Sequence, residues 1–87
     1  MKLSLEEWQV INFLLKDEYL AERRRIRAII DIDSKIKEKW SLYEDTGEFE
    51  EDSSEEERGN IRLYDNAVSN MAIIEGLIVK FKGEAEL

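Results

Sequence analysis

Apolar and aromatic side chains recur every seven residues along both halves of the chain, and this spacing constrains the fold more than anything else in the sequence. In the first half Trp8, Leu15, Ile29, Ile36 and Tyr43 fall on one heptad line that is interrupted at Glu22, with Ile11, Ile26, Ile32 and Trp40 widening it. In the second half Tyr64, Met71 and Ile78 hold one heptad position and Ala67, Ile74 and Phe81 the other, flanked by Ile61 and Val68. There is no Pro, and no Gly precedes residue 47. A repeat of seven places a residue near the same face of a helix every two turns, whereas a half-buried strand needs alternation. The pattern therefore predicts an all-α chain, and 87 residues suffice for a single helical domain over 1–87.

The boundaries follow from capping chemistry. Ser4 with Glu7 three residues on fits a capping box, and Leu3 before the cap suits a hydrophobic staple with Trp8. A first helix is predicted over 5–43, about 58 Å long if unbroken. Asp31, Ile32, Asp33 and Ser34 mark a kink or break, because Asp and Ser compete for backbone hydrogen bonds. An acidic connector over 44–53 leads to a second helix over 54–82, opened by Ser53 or Ser54 and by Glu55, Glu56 and Glu57, which suit the positive end of a helix dipole. Lys80, Lys82 and Gly83 supply a basic last turn and a glycine stop. The run from Gly76 to Phe81 is apolar enough for a strand but has no second strand to pair with.

The expected architecture is an antiparallel helical hairpin, or three helices if the first breaks near 31–34. One hairpin of this size covers its apolar stripes poorly. The breadth of apolar residues at Val10, Ile11, Phe13, Leu14 and Leu15 points the same way. Pairing of two hairpins as a dimeric four-helix bundle would complete the core, with Trp8, Ile11, Leu15, Ile74 and Ile78 at the oligomer interface.

Composition narrows the chemistry. With neither Cys nor His, the chain lacks thiolate ligands, disulfides, the usual neutral-pH base and the commonest transition-metal ligand. Inward acids amount to Glu22 with Glu18 and Glu75, too few for a carboxylate metal site, so no enzyme activity, metal or cofactor is expected. No apolar run approaches the roughly 20 residues of a membrane span, and the expected location is intracellular, in the cytoplasm, or the host cytoplasm if the source is viral.

Charge is concentrated rather than spread. The net charge is -8, and residues 44–57 carry nine acids and no base. This segment is the expected partner-binding site: Glu44, Asp45, Glu48, Glu50, Glu51, Asp52, Glu55, Glu56 and Glu57 would steer a basic surface, with Phe49 as an aromatic anchor. The plainer alternative is a solvated loop with Phe49 tucked onto the helices. Arg23, Arg24, Arg25 and Arg27 fan around a helix instead of lining one face, so a solvated, ion-paired surface is expected there and direct nucleic-acid binding is not. In size and charge the chain resembles small phage and mobile-element products that block host machinery, among them nucleic-acid mimics and anti-CRISPR proteins. That resemblance implies a non-enzymatic inhibitor docking on a basic, nucleic-acid-binding surface of a partner protein. The alternative is a structural or regulatory homo-oligomeric module acting through its apolar stripes.

Overall fold

The computed structural model describes residues 2–85 and is all-helical, with three helices: α1 Leu5–Ile32, α2 Ile36–Thr46 and α3 Glu55–Glu84. α1 and α3 run antiparallel along an elongated body of 53 × 24 × 16 Å, and α2 packs against both at one end. At 1.5 Å per residue α1 and α3 are about 42 and 45 Å long and α2 about 16 Å. The short helix therefore roofs less than half of the hairpin.

Local chemistry explains each boundary. The Ser4 hydroxyl accepts the Glu7 N–H at 3.1 Å while the Glu7 carboxylate accepts the Ser4 N–H at 3.1 Å, closing the expected capping box. The Ser4 backbone N–H, and after it the Ser4 hydroxyl, hold the Glu7 carboxyl below its ordinary pKa. The Ser54 hydroxyl likewise accepts the Glu57 N–H at 3.1 Å to open α3.

The helix expected over 5–43 is two helices. Asp33 adopts an extended backbone, and its carboxylate accepts the Lys35 N–H at 3.0 Å. It also accepts Lys39 Nζ at 2.6 Å. Three helices replace the simple hairpin for this reason: a side chain that satisfies backbone donors outside the helix stops α1 where the sequence allowed a kink.

The connector is shorter than the expected 44–53. Glu44, Asp45 and Thr46 remain helical, and α2 ends at Gly47, whose φ of 74° lies in the left-handed region that side chains resist. At the other end α3 passes through Gly83 to Glu84, two residues beyond the predicted limit of 82. Leu3 then pairs with Ala85 in an isolated bridge, its N–H donating to the Glu84 carbonyl at 2.7 Å.

The roofed end holds the main core. Ile36 is fully buried and clusters with Ile29, Ile61 and Tyr64, so one side chain from α2 meets both long helices. Trp40 sits 5.3 Å from the Tyr64 ring and donates its indole N–H to Asp65 at 3.0 Å. Lys39 bridges Asp33 and, at 3.4 Å, Glu57, linking the break after α1 to the first turn of α3. Among the described residues the unroofed end buries Leu3, Trp8 and Ile74, and Ala67 and Glu22 lie between the two ends.

Candidate interaction surfaces

The acidic segment forms a collar around the α2–α3 turn. Phe49 is half-buried, stacked on Tyr43 with centroids 4.7 Å apart, and the guanidinium groups of Arg58 and Arg62 lie 5.6 and 5.0 Å from its ring centre. The aromatic expected to anchor a partner is thus engaged inside the chain. Stacking and two cation–π contacts hold the turn closed against the helices. Arg58 Nε is buried there without a hydrogen-bond partner, which opposes part of that gain.

Around this packed turn the carboxylates point outward. Glu44, Asp45, Glu48, Glu50, Glu51, Asp52, Glu55 and Glu56 are all exposed, and among the described residues none of them is in an ion pair. Glu57 differs from them: it is half-buried, its backbone N–H is capped by Ser54, and its carboxylate reaches Lys39.

A second surface lies on α1. Trp8, at 8% exposure, and Ile74, at 9%, are covered by the chain itself, and Ile11, Leu15 and Ile78 are half-buried along the same hairpin. Of the five residues expected at an oligomer interface, Trp8 and Ile74 are thus covered within the chain, while Ile11, Leu15 and Ile78 keep part of their surface in solvent. Val10, Phe13, Leu14 and Leu20 remain 60, 70, 58 and 45% exposed. At about 100° per residue these four lie on the side of α1 opposite Trp8, Leu15, Glu22 and Ile29. Monomeric domains scatter single exposed apolar residues, but four gathered on one helix face form a patch.

The polar interruption in the seam is real. Glu22 is 3% exposed, and its carboxylate is paired with the guanidinium of Arg25, one turn along α1 and largely in solvent. Across the seam Tyr19 donates its hydroxyl proton to Glu75 at 2.9 Å, a bond that raises the phenol pKa. Of the arginines, Arg23, Arg24 and Arg27 with Leu20 wall a shallow groove of about 290 Å³. Among the described residues no group of three or more acidic side chains is arranged to hold a metal ion, and no helix is long and apolar enough to cross a membrane.

α1 carries a second periodic signal in its sequence. Val10, Asp17, Arg24 and Asp31 form a second heptad line on α1, flanked by Phe13, Leu20 and Arg27 on one side and Leu14, Ala21 and Ala28 on the other. No protein-family model, curated protein or solved structure matches the chain, so its surfaces alone carry the functional reading.

Proposed function

We propose that this protein is a non-enzymatic helical assembly module that associates with itself through the uncovered apolar face of α1. The supporting observation is the exposure of Val10, Phe13, Leu14 and Leu20 on one side of a helix whose other side is already packed. Apolar area left in water on a small, highly charged chain is a standing cost that association removes, at roughly 25 cal/mol per Å². Charge repulsion opposes association, because each copy carries -8, so the apolar face must lie away from the collar. It does: Phe13 and Leu14 are in the first three turns of α1, whereas the collar packs at the other end of the hairpin, where Phe49 joins the Ile29, Ile36, Ile61 and Tyr64 cluster.

The test is sedimentation equilibrium of the full chain over a wide concentration range. Dimers are expected for the native chain and for a variant whose eight exposed collar acids are changed to Asn and Gln, whereas Phe13→Ser and Leu14→Ser give monomers. A native chain that stays monomeric at millimolar concentration refutes the reading.

A second reading keeps the collar as the working part, docking on a basic, nucleic-acid-binding surface of a partner protein as phage-type inhibitors do. It is favoured by the eight exposed carboxylates that no lysine or arginine of the described chain neutralises. Such docking would weaken steeply with salt and disappear in the Asn/Gln variant, which leaves self-association intact.

A further inference from the structure

We infer that α1 pairs with α1 of a second copy in antiparallel orientation, about a two-fold axis between the levels of Leu20 and Ala21, so that Asp17 of each copy meets Arg24 of the other. This deepens the self-association reading and rests on it, adding the partner face, the orientation and the register.

The second heptad line on α1 dictates this geometry. Its central row reads Val10, Asp17, Arg24 and Asp31, and Asp17 and Arg24 are both exposed with no ion-pair partner among the described residues. Opposite charges seven residues apart on an apolar stripe leave a helix few ways to pair with itself. A parallel, in-register pair stacks Asp17 on Asp17 and Arg24 on Arg24. An antiparallel pair centred at Asp17 apposes two carboxylates, and one centred at Arg24 apposes two guanidinium groups. Like charges placed directly opposite at an interface are strongly unfavourable. Midway between these centres, between Leu20 and Ala21, the two-fold pairs each Asp17 with an Arg24 and forms two ion pairs at once. Every contact is then made twice, as a closed symmetric dimer requires.

The flanking rows agree with this register. A two-fold of this kind keeps each flank on its own side, so Leu20 meets Leu20 across the axis on one flank. On the other, Leu14 of one copy faces Ala28 of its mate, a large side chain against a small one, which suits the 8–10 Å separation of packed helices. Phe13, the most exposed aromatic, comes to lie on the flank where Leu20, Arg24 and Arg27 wall their groove. Guanidinium groups accept an aromatic face well, as Arg58 and Arg62 do with Phe49 inside the chain.

Long-range charge favours the same orientation. The carboxyl ends of the two α1 helices are then about 35 Å apart, and each acidic collar sits at the roofed end of its own copy, beside Ile29 and Ile61. That distance is several screening lengths at physiological salt, where the Debye length is about 8 Å. A parallel pair would bring both collars to one end.

Reciprocal charge exchange tests the register in the full chain. Asp17→Arg and Arg24→Asp, both at exposed positions, each put like charges together twice and are expected to raise the dimer dissociation constant at least about tenfold. An equimolar mixture of the two variants restores both ion pairs in a heterodimer and should recover affinity to within about threefold of native. Because the chain has no cysteine, single replacements report proximity directly: Leu20→Cys should form a disulfide-linked dimer quickly on oxidation, and Asp17→Cys and Arg24→Cys should not. A native dimer that ignores both charge changes, fails to recover on mixing, or cross-links through Asp17→Cys overturns this register while leaving self-association standing. A native chain that never dimerises overturns both.

Discussion

The two ends of the α1–α3 hairpin are built from the same two helices and hold together differently. At the roofed end α2 adds a third layer, and Ile36 is sealed between Ile29, Ile61 and Tyr64 while Trp40, Tyr43 and Phe49 close the sides. At the other end two helices meet along one line, and Val10, Phe13, Leu14, Ile73 and Val79 stay in water. Two cylinders touch along a single stripe, so any apolar residue beyond that stripe needs a third body to cover it. Eleven residues of α2 are that body at one end; at the other, none of the described residues plays the part.

Core truncation should expose this contrast most strongly. Ile36→Ala is expected to cost about 3–4 kcal/mol, because the cavity lies between three helices and cannot collapse. Ile74→Ala, at a seam open to solvent on either side, should cost nearer 2 kcal/mol. Urea melts of the two variants check the order, and equal losses would mean that the roof adds no rigidity.

Between the ends, the buried carboxylate gives a directional pair of expectations. Arg25→Ala strips Glu22 of its counter-charge and should destabilise by about 1–3 kcal/mol. Glu22→Leu leaves behind only a solvated arginine and should stabilise by about 1 kcal/mol. Thermal denaturation of both reads the signs, and a loss in Glu22→Leu would show that the carboxylate has a buried partner of its own.

Matched hydroxyl and indole deletions refine the comparison. Trp40→Phe removes the indole bond to Asp65 and should cost about 1 kcal/mol. Tyr19→Phe removes the bond to Glu75, which lies in solvent at the unroofed end, and should leave the melting temperature nearly unchanged. A reversed order would place the stronger polar link on the hairpin rather than on the roof.

The smallest effect concerns acid. The Lys39 ammonium beside Asp33 holds its carboxyl below the ordinary carboxylate range, against the opposing effect of burial. A carboxyl lowered in this way contributes stability that is present above its unfolded value, near about 3.9, and is lost as pH falls through the lower folded value. The same contact raises Lys39, whose share persists below its unfolded value near about 10.4 and is lost as pH climbs through the folded one. Asp33→Asn keeps an oxygen for the Lys35 N–H but removes the charge, so it should flatten the acid limb of the stability curve without abolishing the break after α1. Melting temperatures between pH 2 and 6 check this.

Much of the fold was legible in the residues because it rests on contacts between near neighbours in sequence. Ser4 with Glu7, Ser54 with Glu57 and the polar run ending in Ser34 act within three or four positions, and each marks a boundary. Over residues 76–81, by contrast, the local run suits a strand equally well, and only the lack of a second strand in the sequence marks it as helix. What depended on a second element was harder to read. Phe49 lies among acids in sequence, yet its position is set by Tyr43 and by two arginines on α3. For α1, two apolar faces were available, and only the path of α3 decides which is covered. Hence Trp8 is covered within the chain, Ile11 and Leu15 are half-buried, and the most exposed surface belongs to Val10, Phe13 and Leu14.

The bridge between Leu3 and Ala85 has one further consequence. It ties together residues more than eighty positions apart, joining the segment before α1 to the end of α3. Removing the Leu3 strand position should therefore speed amide exchange over the last turns of α3, at the opposite extreme of the polypeptide, as a latch on one door edge governs the other.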